Sequence, residues 1–312
     1  MFCKYWGDGC WLCVFRCSWS LLCIRFLRGL DGSADMGPVS DQVNPGTFNK
    51  PFPSVSSVFS SKASDSVRSK GLSPISSAVP CQVRHVGFIL DGNRRYAQRE
   101  GKAKILGHKE GAENVKRLIF EWAPALSLKE VTLYTFSMQN FGREKSEVEY
   151  LMSLFEDFFS KIMTPKFLSL NIKVQFVGRR ELFSLKLQKL MSELEAKTVL
   201  FTGLLVRFAM GYGGREEILD AANRVITDVK KGLVVLGPSG LSMEQLSSYM
   251  YTSSEPDVVV RTGGDHRTSN FLIWQSWYSE WFFVDKFWPE FGFEDLKRIV
   301  EEFGARQRRF GK

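Results

Sequence analysis

From His85 onward the sequence predicts a single α/β domain on a mostly parallel six-stranded sheet, with helices covering both faces. Two observations carry that expectation. Short apolar runs rich in β-branched and aromatic residues recur along the chain, and longer stretches whose apolar residues repeat at helical spacing lie between them. A hydrophobic content of 44% over 312 residues supplies enough apolar material for a sizeable core.

The strand candidates are VGFIL (86–90), VTLYTF (131–136), IKVQFV (172–177), LLVRFA (204–209), DVVV (257–260) and EWFFV (280–284). Helical periodicity fills the gaps at 108–123, 145–162, 180–197, 215–231, 243–251 and 294–305. In the second of these, Val148, Leu151, Met152, Phe155, Phe158, Phe159 and Ile162 share one face, which ordinary core packing explains, with the wall of an apolar channel as the sharper alternative. No internal repeat is visible.

The first part of the chain has a different character. Cys3, Cys10, Cys13, Cys17 and Cys23 crowd the basic, aromatic residues 1–35, and Cys81 is the only other cysteine. The body therefore has no disulfide framework, as expected in a reducing compartment, and no second Cys or His pair completes a zinc site at Cys10, Cys13 and Cys17. The apolar run from Cys17 to Ile24 is far short of the ~20 residues needed to cross a bilayer. Such a leader suits an interfacial anchor, a targeting segment or sequence upstream of a start at Met36. Residues 36–84 carry eleven serines between Ser54 and Ser77 and read as a disordered linker, too polar to offset its ordering entropy. The folded domain is expected over 85–312.

In open α/β sheets ligands bind beyond the carboxyl ends of the strands. Four of those ends read DGNRR, SMQNFGR, GYGGR and RTGGDHRTSN. Each alone is ordinary turn chemistry. Together they bring Arg95, Arg143, Arg215, Arg261 and Arg267 to one place, with Lys104 and His108 shortly downstream. Guanidinium forks match phosphate oxygens and glycines admit backbone amides to them, so a diphosphate-sized anion is expected. Asp91, a lone carboxylate in this set, is a candidate Mg²⁺ ligand, because that ion is held by one or two carboxylates plus substrate phosphates; Glu280 is the second candidate. Nucleotide hydrolysis is disfavoured, since no GxxxxGK[ST] loop is present and no GxGxxG follows a strand. The net charge of +8 is spread along the chain, and nucleic acid is not an expected partner.

The stretches HVGFILDGNRRYAQREGKAKILGHKEGA, LYTFSMQNFGR, GYGGREEI and RTGGDHRTSNFLIWQSWYSE closely resemble the cis-prenyltransferase family, the undecaprenyl and dehydrodolichyl diphosphate synthases, from His85 to the C-terminus. That resemblance implies a homodimer with an apolar tunnel that condenses isopentenyl diphosphate onto an allylic diphosphate primer, farnesyl or geranylgeranyl, with Mg²⁺ as cofactor. It implies that Asp91 carries the metal and that Gly92, Asn93, Arg94, Arg95, Tyr96, Lys104 and His108 surround the allylic head group. Ser137, Met138, Gln139, Phe141 and Arg143 line the same site, and Asn140 matches a proposed proton acceptor. Arg261, Arg267, Thr268 and Ser269 match the isopentenyl diphosphate pocket, and Glu280 the second metal position. Arg309 and Gly311 match an Arg-x-Gly signature that reaches the neighbouring subunit's site. Asp265 stands where many members have Glu, and Gln139 also replaces a common Glu. A processive enzyme needs an apolar channel, because its growing chain offers only apolar surface for burial. The expected product is a long-chain glycosyl carrier lipid precursor that associates with a membrane. The expected location is the cytoplasm, peripheral at a membrane, with an organellar destination left open by the serine-rich leader. The alternative is a non-catalytic partner subunit of a heteromeric synthase, which would lack Asp91 and the substrate cations.

Overall fold

The computed structural model describes residues 83–162 and 164–306. The expected leader and most of the expected linker, with all six cysteines, lie outside the described residues, as do Arg309 and Gly311. The packed body begins slightly before His85. Val83 is buried in the core, and the Arg84 carbonyl accepts from the amides of Lys129 and Glu130.

The strands are β1 (His85–Ile89), β2 (Glu130–Ser137), β3 (Lys173–Val177), β4 (Leu205–Tyr212), β5 (Val258–Thr262) and β6 (Glu280–Val284). They form one sheet in the order β3-β4-β2-β1-β5-β6, and every pairing is parallel. Parallel strands in mid-sheet are covered on both faces, and β1 and β5 are buried at every position. Alternation along the strands splits the core in two. Val86, Phe88, Val258, Val260, Val206 and Phe208 join the larger cluster, whereas Ile89, Val259 and Ala209 turn to a smaller one around Tyr212 and Phe271.

The helices are α1 (Asn93–Arg99), α2 (Lys104–Arg117), α3 (Ala123–Ala125), α4 (Lys145–Asp157), α5 (Thr164–Ser169), α6 (Leu185–Thr198), α7 (Gly214–Lys230), α8 (Met243–Tyr249) and α9 (Phe293–Ala305). One π turn (Leu118–Trp122) joins α2 to α3, and another (Phe158–Ile162) prolongs α4. In α9 the spacing of Leu296, Ile299, Val300 and Phe303 sets one apolar stripe into the larger core cluster, beside the π turn that follows α2. Each such fully buried side chain contributes roughly 1.5–3 kcal/mol.

Two features prepare the site. All six strands run the same way, so their carboxyl ends share one edge of the sheet. The β2–β4 register slips between Tyr134 and Ser137, an irregularity that re-aims the side chains of this stretch at that edge.

Candidate functional site

Beyond the end of β1 the chain is fastened from three sides. The Asp91 amide donates to the Ile89 carbonyl (2.9 Å) and to Thr262 Oγ1 (3.0 Å), while the Asp91 carbonyl accepts from the Trp288 amide (2.9 Å). Gly92 follows at φ 101°, a left-handed conformation disfavoured for L side chains, and a Cβ there would lie 2.6 Å from Phe287 Cδ1. Its amide donates to Asp91 Oδ1 (2.7 Å) and so aims the carboxylate.

Asp91 Oδ2 accepts from Arg261 Nη2 (2.7 Å), and Arg95 Nη2 lies 3.3 Å from Oδ1. The same two arginines reach Asp265, at 3.0 Å from Arg95 and 3.7 Å from Arg261, and Arg267 meets Asp265 at 3.0 Å. Burial works to raise the Asp265 carboxyl, but Arg267 and Arg95 outweigh it and hold it below the ordinary carboxylate range. Arg261 is only 2% exposed; its Nη1 also donates to the Arg267 carbonyl (2.5 Å) and to Ser269 Oγ (2.6 Å).

A second cluster faces this one from α2 and α4. Glu147 takes His108 Nε2 at 3.1 Å, Arg143 at 2.9 Å and Arg94 at 3.4 Å. Burial favours the uncharged Glu147, yet Arg143, His108 and Arg94 together hold it ionised below its usual range. Burial also lowers His108, more than Glu147 raises it, so the imidazole tends to be neutral. Sequence reasoning missed Glu147, although its i,i+4 spacing from Arg143 was a readable signal.

Between the clusters opens a cavity of about 550 Å³. Asp91, Asn93, His108, Ser137, Gln139, Asn140, Arg143, Arg261 and Ser269 line its polar part. Leu133, Leu151, Leu154, Phe155, Phe158, Phe159 and Phe208 line its apolar part. Thus Leu151, Phe155, Phe158 and Phe159 of the amphipathic helix face the cavity, and the side chain of Ile162 lies outside the described residues. In the apolar part Phe159 packs edge-on at 5.0 Å from Phe208 and, behind the lining, at 4.8 Å from Phe176.

Several expected site residues stand apart from the cavity lining. Phe141 packs edge-on against Phe136 (4.8 Å), and Met138 is likewise not in the lining. Tyr96 lies under Arg99 and Lys102 and reaches Glu110; Lys104 and Thr268 are exposed, as is Arg267 at the rim. Asn140 is in the lining, with its carboxamide oxygen accepting from the Ser137 amide (3.0 Å). Arg215 opens α7 with its side chain exposed.

Glu280 requires a correction. It opens β6, pairs in register with Val258, and through it with Val86. Asp91 lies five residues beyond Val86, about 16 Å of strand rise. A residue that begins a parallel strand sits at the sheet's amino edge, so one chain does not bring Glu280 to the ion that Asp91 would hold. Instead Glu280 pairs with Arg306 at 2.5 Å.

Among the described residues no group of three or more His, Cys, Asp or Glu gathers as a metal site. The donors present still suit a hard cation completed by substrate phosphates. Asp91 and Asp265 share two arginines, and the buried Asn93 Oδ1 in the cavity lining has no partner. Arg261 Nε, also buried and unpartnered, is a donor in want of an acceptor such as a phosphate oxygen. Five guanidinium groups against three carboxylates leave the mouth cationic.

Residues 89–311 match the prenyltransferase family model described as undecaprenyl diphosphate synthase. The chain is 41% identical over 234 residues to the tritrans,polycis-undecaprenyl-diphosphate synthase (geranylgeranyl-diphosphate specific) of Methanocaldococcus jannaschii, covering 73% of this chain and 82% of that protein. It is also 41% identical to the isoprenyl transferase of Thermus thermophilus, over 73% of this chain and 89% of that one. Among solved structures, lavandulyl diphosphate synthase from Lavandula x intermedia in complex with dimethylallyl diphosphate superposes with a TM-score of 0.71 at 31% identity, covering 74% of this chain and 99% of that one. A probable undecaprenyl diphosphate synthase from Campylobacter jejuni gives 0.62 at 28% identity, over 74% and 99%.

Proposed function

The chain belongs to the undecaprenyl diphosphate synthase family of cis-prenyltransferases, and from that footing we propose that it condenses isopentenyl diphosphate repeatedly onto farnesyl or geranylgeranyl diphosphate to build a long-chain carrier lipid precursor. The observation that carries this reading is one cavity with a cationic mouth around Asp91 and an apolar body lined by leucine and phenylalanine.

The allylic head group lies against Asn93, His108 and Arg143, with its hydrocarbon running down the apolar part. Arg261 and Ser269 take the second diphosphate, and Arg267 draws it in from the rim. Asp91 would hold Mg²⁺, with Asp265 the second carboxylate in reach, and the ion when bound neutralises charge on the departing diphosphate. The allylic C–O bond breaks and its electron pair leaves with the diphosphate, whose charge meets preorganised guanidinium groups. The alkene of isopentenyl diphosphate forms the new C–C bond, and a proton then leaves the adjacent carbon. The Asn140 oxygen already accepts a backbone hydrogen bond, so the departing diphosphate is the better base for that proton.

A cavity of about 550 Å³ lies within the range of small-molecule sites, roughly 300–1,000 Å³, and suits a primer. A product several units longer requires α4 to move away from α2. A homodimer is part of the proposal, supported by exposed Leu219 and Ile226 one above the other on α7, whose first turn meets exposed Ile273. So is a cytoplasmic location peripheral at a membrane, by the lipid chemistry of the product.

The test is incubation with labelled isopentenyl diphosphate, Mg²⁺ and each allylic primer, followed by sizing of the dephosphorylated products. Long-chain label is expected. A product of one or two added units would replace the long-chain reading, and no incorporation with any primer would end the proposal.

A further inference from the structure

We infer that Asn270, braced by Glu216, is the positioning residue that holds the isopentenyl diphosphate pocket in its binding shape. The inference rests on the reading above that Arg261 and Ser269 take that substrate, with Arg267 at the rim.

The loop after β5 is held in an unfavourable conformation. Within four positions Ser269 (φ 48°), Asn270 (φ 65°) and Leu272 (φ 43°) all adopt left-handed backbone, which non-glycine residues avoid and keep only where their surroundings force it. The force comes largely from Asn270. Its carbonyl accepts from the Gly214 amide (2.7 Å), its Oδ1 from the Arg215 amide (2.9 Å), and its Nδ2 donates to Glu216 Oε2 (2.8 Å). Three bonds thus tie one loop residue to the first turn of α7. Asparagine suits the place because it tolerates left-handed backbone and carries both an acceptor and a donor.

What the tie positions is next to it. The Ser269 carbonyl accepts from the Tyr134 hydroxyl (3.2 Å), and Ser269 Oγ and the Arg267 carbonyl both receive Arg261 Nη1. A loop released at Asn270 would carry away the two acceptors that orient Arg261, and Arg261 in turn holds Asp91.

The same contacts give the GYGGR motif a different meaning from the one its glycines suggest in sequence. A Cβ on Gly213 would lie 2.1 Å from Glu216 Oε2 and 2.6 Å from Asn270 Nδ2, and one on Gly214 would lie 3.0 Å from Ile273. These glycines make room for the brace, and the amides of Gly214 and Arg215 are spent on Asn270.

Initial rates of the full chain, varying each substrate in turn, test the idea. Asn270→Gly keeps the backbone conformation accessible but removes both side-chain bonds. It should raise KM for isopentenyl diphosphate roughly tenfold while KM for the allylic primer stays within about twofold. Asn270→Asp sets two carboxylates against each other and should show the same split. Asn270→Asp combined with Glu216→Gln reverses the polarity of that hydrogen bond and should recover most of the loss. Glu216→Ala, which leaves the loop's own residues intact, carries the same test at smaller amplitude should the Asn270 variants fold poorly. Equal changes in both KM values, no change in either, or absence of rescue in the double variant would overturn the inference. A wild-type chain that consumed no isopentenyl diphosphate would instead sink the reading beneath it.

Discussion

The two ends of the sheet both carry buried arginine, carboxylate and hydroxyl groups, yet they are built to opposite rules. At the amino end, Arg207 donates to Glu130 (2.6 Å) and Gln175 (3.0 Å), His85 meets Thr132 (2.8 Å) and Ser254 (3.3 Å), and Asp257 accepts the amides of Arg84 and His85. The Ser254 hydroxyl also donates to Glu130. At the carboxyl end, cations outnumber carboxylates, a cavity separates them, and Asn93 Oδ1 and Arg261 Nε lack partners. Among the described residues no unpartnered buried atom falls in the amino-end network. A balanced network stiffens a fold, whereas an unbalanced one stores binding capacity. Substitutions at the two ends should therefore damage different quantities.

The largest effect is expected at the carboxyl end. Asp91→Asn keeps the size of the side chain and one of the two acceptor oxygens used by Arg261 and the Gly92 amide, but removes the negative charge a metal needs. Turnover should fall by roughly 10²–10³-fold, measured as incorporation of labelled isopentenyl diphosphate, while the melting temperature moves by no more than a few degrees. A variant with near-normal rates would put Asp91 outside the chemistry.

The amino end should answer to pH. Burial lowers the His85 imidazole from 6.5 to about 4, against the pull of Glu130 and with Arg207 opposing its charge; Asp257, Ser254 and Thr132 complete its surroundings. Between those values the unfolded chain binds a proton on this ring that the native chain does not, so its contribution is present above about 6.5 and is lost as the pH falls towards 4. The loss is at most about 3 kcal/mol. Denaturant titrations from pH 7 to pH 4.5 should show a steeper decline for the wild type than for His85→Gln, and equal slopes would remove His85 as the cause.

Arg207→Met probes the same network without titration. It takes the guanidinium donor from Gln175 and from Glu130, which keeps only Ser254, and because Glu130 retains some exposure the cost should be about 1–3 kcal/mol. For a body of this size that is a melting-temperature decrease of several degrees. The kcat/KM of the folded fraction should be unchanged, in contrast to Asp91→Asn, and a loss of activity without a loss of stability would break the distinction between the two ends.

The same contrast explains what could be read from the sequence. The six strands were legible because buried parallel strands appear as uninterrupted apolar runs, and once they are parallel their carboxyl-end loops must converge. Helix α1 was missed because it buries only Ala97, and α5 because Phe167 is its one buried residue, so neither carries an apolar period. Glu147 was overlooked although its i,i+4 spacing from Arg143 was local, whereas Asn270 escaped because its role depends on where the start of α7 meets the loop after β5, which no local pattern encodes. Glu280 was misplaced despite a readable signal. It begins its strand, whereas Asp91 follows one, and in a parallel sheet those positions lie at opposite edges. The amino-end network left no motif at all, since its members come one or two at a time from four strands, β1 to β4, and from the segment before β5.

The smallest expected effect lies at the rim, where the cationic excess meets water. Arg267 has a side-chain exposure of 61% and is held through Asp265, so solvent screens most of its field at the cavity. Arg267→Ala should raise KM for isopentenyl diphosphate by roughly threefold to tenfold and leave kcat nearly unchanged. A long-range cation acts mainly on encounter, so the difference from wild type should shrink as ionic strength rises from 0.05 to 0.5 M, where the Debye length contracts to about 4 Å. A difference that persists undiminished at high salt would mean that Arg267 turns inward and touches the diphosphate directly. The rim would then belong with Arg261 to the buried part of the site.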